Sequence, residues 1–213
     1  MNPSLIWPRR GLYLLTPDEP DTDRLLARVL PTLDAGIALL QYRNKRANRE
    51  KRRLQALALL PHCRQLGIPL IVNDDWQLAK EIAADGVHLG RSDGDLSTVK
   101  KNFVDSARPV IFGVSCYDDL ERAEDAASTG AHYLAFGAMY VSGTKPDARV
   151  ASLDLLRRAA RFKLPRVAIG GITPDNARSV IAAGADLIAV IGGVFDAPDP
   201  ALAVRHYLEC FEE

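Results

Sequence analysis

Eight short apolar runs of strand length recur along the chain: GLYLL (11–15), IALLQY (37–42), IPLIV (68–72), GVHL (86–89), VIFGV (110–114), HYLAF (132–136), RVAI (166–169) and LIAVI (187–191). Several are apolar almost throughout, without strict alternation, as expected of strands covered on both faces. Helix-like segments lie between them. Residues 21–36 open with capping candidates and end in a glycine, and Pro31 predicts a kink or interruption. Residues 48–67 take Asn48 as N-cap, with Pro61 as a second predicted break. Residues 173–184 carry the clearest punctuation: Thr173 as cap, Pro174 at the first helical position, Asp175 in the first turn and Gly184 as stop. The final helix is PALAVRHYLECFEE, starting at residue 200. Eight strands alternating with eight helices predict an α/β fold, a (β/α)8 TIM barrel. A doubly wound open sheet uses the same alternation and stays open as the rival. At 213 residues the chain is short for a barrel, so the loops must be tight and the domain single. Residues 1–10 are assigned to an N-terminal extension and 11–213 to the barrel.

One strand departs from the apolar pattern. LLQYRNK (39–45) begins as a buried strand and ends in long polar side chains. At a period of two, Gln41, Arg43 and Lys45 point to one side. A solvated loop would account for them as well, so the other strand ends must decide.

A barrel carries its chemistry at the C-terminal ends of its strands. The third run leaves Asn73, Asp74 and Asp75 there; after the fourth come Gly90, Arg91, Ser92 and Asp93; the fifth ends at Ser115. The sixth leads into GAMYVSGTK, with Lys145, and the last two end in glycine pairs, Gly170–Gly171 and Gly192–Gly193. Asp74 and Asp93, on adjacent strand ends, form a donor pair for a hard cation such as Mg2+, with water and phosphate oxygens completing it. Arg43, Lys45 and Lys145 add positive charge for a phosphorylated ligand. The glycine pairs allow close backbone approach, and their N–H groups can face an anion, as loops after strands seven and eight of this fold usually do. A diphosphate at one side and a monophosphate at the other is the arrangement these groups suggest.

Plain structural roles compete. Asp74 and Asp75 also read as N-cap and first-turn residues of the next helix, as do Asp93 and Asp95. Paired glycines can serve tight turns alone, and Lys145 can be a solvated loop residue. His62, His132 and His206 read as structural. His88, in GVHLG, either faces the barrel interior or is a satisfied core histidine, the second being favoured. Trp7 and Trp76 read as packing residues. What weighs against these roles jointly is the concentration of polar groups on one rim.

Composition narrows the class without choosing a function. The chain is 47% hydrophobic and 25% charged, ordinary for a soluble domain. Twenty-seven basic residues balance twenty-seven acidic ones, which removes the long-range attraction of a non-specific nucleic-acid binder. Cys63, Cys116 and Cys210 form no metal-like pair and no disulfide framework, in keeping with a reducing cytoplasm. The apolar stretch after Arg9 and Arg10 is interrupted by Thr16, Pro17 and Asp18, so neither a secretory signal nor a membrane span is expected. A homo-oligomer is left open.

QYRNK, VNDDWQLA, ADGVHLG and SGTKPDA, followed by VAIGGITPDNARSVIAAGADLIAVI, resemble the thiamine phosphate synthase family as an ordered series from about residue 11 to residue 196. The resemblance implies a (β/α)8 barrel enzyme that joins hydroxymethylpyrimidine diphosphate to the ring nitrogen of a thiazole monophosphate, releasing diphosphate with Mg2+. It implies that Gln41 bonds the aminopyrimidine and that Arg43, Lys45 and Asn73 contact the diphosphate. Asp74 and Asp93 would bind Mg2+, Ser115 would lie near the reacting groups, and Lys145 would approach the leaving diphosphate. Ser142, Thr144, the Gly171 backbone and the amides around Gly192 and Gly193 would hold the thiazole phosphate. The implied mechanism is dissociative: the thiazole nitrogen has no proton to lose on attack, so no enzymic base is needed.

The chain departs from the family pattern at Asp75, at Arg91 and Ser92, in YVSGTK, and at Gly192 where serine is common. A thiazole tautomerase on the same barrel is the nearest rival. That group uses a histidine after the fifth strand, where this chain has SCYDD with Tyr117, and it lacks part of the metal and diphosphate set. A non-catalytic phosphate-ligand sensor is the alternative from another class; metal-dependent diphosphate release would exclude it.

Overall fold

Parallel pairing runs without a gap from the first strand to the eighth and back to the first, closing the barrel and excluding the open sheet. The computed structural model describes Pro8 and residues 10–141 and 149–212. Its strands are β1 (Gly11–Leu15), β2 (Leu39–Tyr42), β3 (Leu70–Asn73), β4 (Gly86–Leu89), β5 (Ile111–Tyr117), β6 (Tyr133–Gly137), β7 (Arg166–Ile169) and β8 (Leu187–Val190). The helices are α1 (Thr22–Asp34), α2 (Arg49–Leu66), α3 (Trp76–Glu81), α4 (Leu96–Lys101), α5 (Leu120–Ser128), α6 (Asp154–Ala159), α7 (Pro174–Ala182), α8 (Gly192–Phe195) and α9 (Pro200–Glu209). Each predicted strand is present. Trp7, in the assigned extension, lies outside the described residues.

The period of two divides the apolar residues between two cores. Tyr13, Leu15, Leu39, Ile71, Ile111, Tyr133, Val167 and Leu187 face inward and fill the barrel. Their neighbours, such as Leu12, Leu14, Leu40, Leu70, Val87 and Ile188, face outward and pack beneath the helices. Strands buried on both faces have no polar side to display, which is why their runs do not alternate.

Three local expectations change. Pro31 and Pro61 interrupt neither α1 nor α2, which run continuously through them. A proline inside a helix costs about 3 kcal/mol. Here the caps hold: Asp21 accepts from Arg24 N, Asn48 accepts from Lys51 N, and Gly67 closes α2 in the left-handed region. Burial of Leu25, Val29 and Leu33 in α1 and of Ala56, Leu59 and Leu60 in α2 supplies the packing that outweighs the missing bond. The fifth strand runs past Ser115 to Tyr117, with a register shift between those residues. The second glycine pair opens a short extra helix, α8, so nine α-helices are found among the described residues, and the last ends at Glu209.

Candidate active site

Gln41, Arg43 and Lys45 line one cavity of about 1310 Å3 at the C-terminal mouth of the barrel. The intervening residues turn the other way. Tyr42 is buried and donates its hydroxyl to Gln55 Oε1 at 2.9 Å, and Asn44 donates to the same oxygen at 3.0 Å. The strand period therefore extends past β2 and separates a chemical face from a packing face within five residues.

The β1–α1 loop holds this segment in place. Buried Thr16 donates its hydroxyl to the Arg43 carbonyl at 2.7 Å and accepts from the Arg43 N–H at 2.8 Å. Asp18 Oδ1 accepts from the Lys45 N–H at 2.7 Å and from the Arg43 guanidinium at 3.0 Å. Neither Thr16 nor Asp18 is among the sequence-predicted site residues, since TPD reads in sequence only as the end of an apolar stretch. Their place directly after the first strand was the available signal. Arg122 is a further addition: its guanidinium donates to the carbonyls of Ser115 at 2.6 Å and Gly90 at 2.9 Å, tying together the ends of β4 and β5.

The acidic residues divide by role. Asp75 caps α3 through Leu78 N at 2.9 Å, and Asp95 caps α4 through Thr98 N. Asp74 and Asp93 line the cavity instead. Asp74 adopts φ 64°, an uncommon conformation for a residue with a side chain, held by its N–H on the His88 carbonyl at 2.8 Å. Burial and the adjacent Asp93 carboxylate push the Asp74 pKa up, while Lys45, 3.4 Å away, offsets part of that effect. Asp93 is anchored by the Gly90 N–H at 2.7 Å. Two crowded carboxylates facing a cavity are a donor set that a hard cation relieves and stabilises. Among the described residues no group of three or more His, Cys, Asp or Glu could hold a metal, so remaining oxygens would come from ligand and water.

Opposite these residues the cavity is lined by backbone. Gly170 and Gly171 lie at φ 98° and 61°, and a Cβ on Gly171 would come within 2.4 Å of the Val141 carbonyl oxygen. Only glycine fits that approach. Gly192 and Gly193 form the first turn of α8, where N–H groups have no acceptor within the helix. A Cβ on Gly192 would lie 2.6 Å from Asp196 Oδ2, the far end of a side chain that can turn away.

The floor carries His88, Tyr13 and Ser115. His88 is both a satisfied core residue and an inward-facing one, bonded to Tyr133 and Ser115. Burial lowers its pKa to about 4, which keeps the ring neutral. At the mouth, the Arg91 guanidinium stacks on Tyr117 at 5.2 Å and reaches Asp119 at 3.7 Å. Asn73 and Ser115 both line the cavity, whereas Ser142, Thr144 and Lys145 lie outside the described residues. Trp76 packs against the outer core. No described helix is long and apolar enough to cross a membrane.

Residues 12–194 match the profile of the family described as thiamine monophosphate synthase. The chain is 51% identical to a thiamine-phosphate synthase of Xanthomonas campestris pv. campestris (strain 8004), over 96% of this chain and 97% of the relative. It is 52% identical to a thiamine-phosphate synthase of Azoarcus sp. (strain BH72), over 95% and 97%. Among solved structures, thiamine phosphate pyrophosphorylase from Pyrococcus furiosus superposes with a TM-score of 0.84 at 33% identity, covering 96% of each chain.

Proposed function

Because the chain belongs to the thiamine monophosphate synthase family, we propose that it joins 4-amino-2-methyl-5-hydroxymethylpyrimidine diphosphate to 4-methyl-5-(2-phosphoethyl)thiazole, or its carboxylated form. The products are thiamine phosphate and diphosphate. The observation that carries this reading is the division of one cavity into a cation-and-carboxylate side and a glycine-backbone side.

Asp74 and Asp93 would hold Mg2+. When bound there, the ion supplies positive charge to the diphosphate oxygens as the C–O bond to the leaving group breaks. Asp18 holds the Arg43 guanidinium and the Lys45 ammonium lies 3.4 Å from Asp74, so both charges stand at the same side. Asn73 would bond a diphosphate oxygen, and Lys145 would approach the leaving group. Gln41 would bond the aminopyrimidine, whose ring donates electrons to the methylene left behind. Gly171, Gly192 and Gly193 would hold the thiazole monophosphate through backbone N–H groups, with Ser142 and Thr144 beside them. The thiazole ring nitrogen then forms the new C–N bond with its lone pair. No side chain need take a proton, so the residues act by holding two rings together and by stabilising the departing charge.

The test supplies purified protein with both substrates and follows diphosphate and thiamine phosphate together. One-for-one formation, lost on chelation of Mg2+ and restored by its return, is the expected result. Thiazole phosphate binding with no diphosphate release would instead support a tautomerase or a ligand sensor.

A further inference from the structure

A chain of hydrogen bonds crosses the barrel interior beneath the cavity and joins two residues that face it. Gln41 Nε2 lies 2.7 Å from the Tyr13 hydroxyl, which lies 2.7 Å from the Tyr133 hydroxyl. Tyr133 meets His88 Nδ1 at 2.9 Å, and His88 Nε2 meets Ser115 Oγ at 2.8 Å. The five residues come from β2, β1, β6, β4 and β5 in that order. Space for the crossing comes from Gly113, where a Cβ would fall 1.9 Å from Tyr133 Cζ. Tyr13 and Tyr133 meet edge to face, and the His88 ring stacks on Tyr133, so the rings fix one another.

The chain has a direction. An amide nitrogen only donates, so the Gln41 N–H enters the Tyr13 oxygen, and a chain running in one sense sends the Tyr13 hydroxyl proton toward Tyr133. Continued in that sense, Tyr133 donates to His88 Nδ1, and a neutral imidazole then carries its proton on Nε2 and donates to Ser115. Burial, which disfavours the imidazolium, agrees with the neutral ring. At one end the Ser115 proton is left for the cavity. At the other, a flipped Gln41 amide would put its oxygen on Tyr13 and would require every link of the chain to reverse together.

We propose that Tyr13, Tyr133 and His88 are positioning residues whose one-way hydrogen-bond chain locks the Gln41 amide with Oε1 toward the cavity and sets Ser115 as a donor. The site thereby prefers a 4-aminopyrimidine to its 4-oxo counterpart. This rests on the aminopyrimidine reading of the site. Locked Gln41 accepts from an exocyclic amine and donates its second N–H to the neighbouring ring nitrogen. An oxo-pyrimidine presents the opposite edge, setting oxygen against oxygen and N–H against N–H. An amide free to flip would accommodate either edge.

Two measurements test this. The first is the tautomer of His88 in the wild-type protein at neutral pH, read from histidine-selective 15N NMR and assigned by its loss in His88→Gln. An Nε2–H ring is expected; an Nδ1–H ring overturns the direction of the chain. The second is calorimetric binding of the aminopyrimidine diphosphate and its oxo counterpart, without thiazole, to wild type and Tyr13→Phe. The wild-type preference for the amino form should fall about tenfold in Tyr13→Phe, the scale of one unmatched buried hydrogen bond. Thiazole monophosphate binding should not change. An unaltered preference in a folded Tyr13→Phe protein overturns the proposal. Failure of wild type to bind either pyrimidine overturns both the specificity claim and the proposed function, whereas the tautomer decides the chain's direction independently of any substrate.

Discussion

The two sides of the barrel mouth are built on opposite principles. At the ends of β2, β3 and β4 the groups are side chains with charges already engaged: Arg43 with Asp18, Lys45 with Asp74, and Asp74 with Asp93. At the ends of β7 and β8 the groups are peptide N–H donors on glycines, in positions where a Cβ would collide with backbone at Gly170 and Gly171 and with the Asp196 and Tyr207 side chains at Gly192 and Gly193. The first side can change its charge and its partners; the second can only keep its shape. That difference suits a ligand whose bond must break on one side and a ligand that need only be held on the other.

The largest effect should come from the charged side. Asp74→Asn or Asp93→Asn is expected to lower the rate of diphosphate release by at least about a hundredfold, the scale of losing a principal electrostatic stabiliser. Thiazole phosphate affinity should stay near wild type in calorimetry. Equal losses of both would erase the distinction between the sides.

Gly171→Ala attacks the other side through shape. At φ 61° and with the Val141 carbonyl 2.4 Å from the new Cβ, it should lower stability by about 1–3 kcal/mol in urea unfolding and weaken thiazole phosphate binding. Asp18→Asn sharpens the account of the first side. The amide still accepts the Lys45 N–H but loses the charge facing Arg43, so kcat/KM should fall roughly tenfold as a misplacement effect, with little change in Tm. Steady-state kinetics with each substrate varied would show whether the loss tracks the diphosphate substrate.

The smallest effect is a stability slope. His88 titrates near 6.5 when unfolded and at about 4 when folded, so the unfolded chain binds more protons between those values. Its contribution is fully present above about pH 6.5 and declines as the pH falls toward 4, by no more than roughly 1.4 kcal/mol per pH unit. His132, also lowered by burial, contributes in the same direction. Urea unfolding at pH 7 and pH 5 should show a shallower loss in His88→Gln than in wild type.

Much of the fold was legible because burial on both faces leaves unbroken apolar runs, and the residues that come directly after each run mark the barrel's rim. The two acidic pairs are where this legibility ends. In sequence Asp74 and Asp75 are interchangeable as caps; only the left-handed turn at Asp74 sends one into the cavity and leaves the other on α3. Thr16 and Asp18 act through contacts with Arg43 and Lys45, more than twenty residues away in the chain, which no local period encodes. Pro31 and Pro61 misled because a local propensity was weighed without the packing that overrides it. Tyr13 and Tyr133 looked like ordinary strand aromatics, and only barrel closure brings their hydroxyls to 2.7 Å.

The central claim is that one cavity holds two phosphorylated groups by different means. Titration of the thiazole monophosphate and of inorganic diphosphate, separately and together, with and without Mg2+, tests it most directly. Simultaneous binding, with Mg2+ required by the diphosphate alone, is the predicted result. Mutual exclusion of the two ligands, or diphosphate binding that ignores Mg2+, would contradict it.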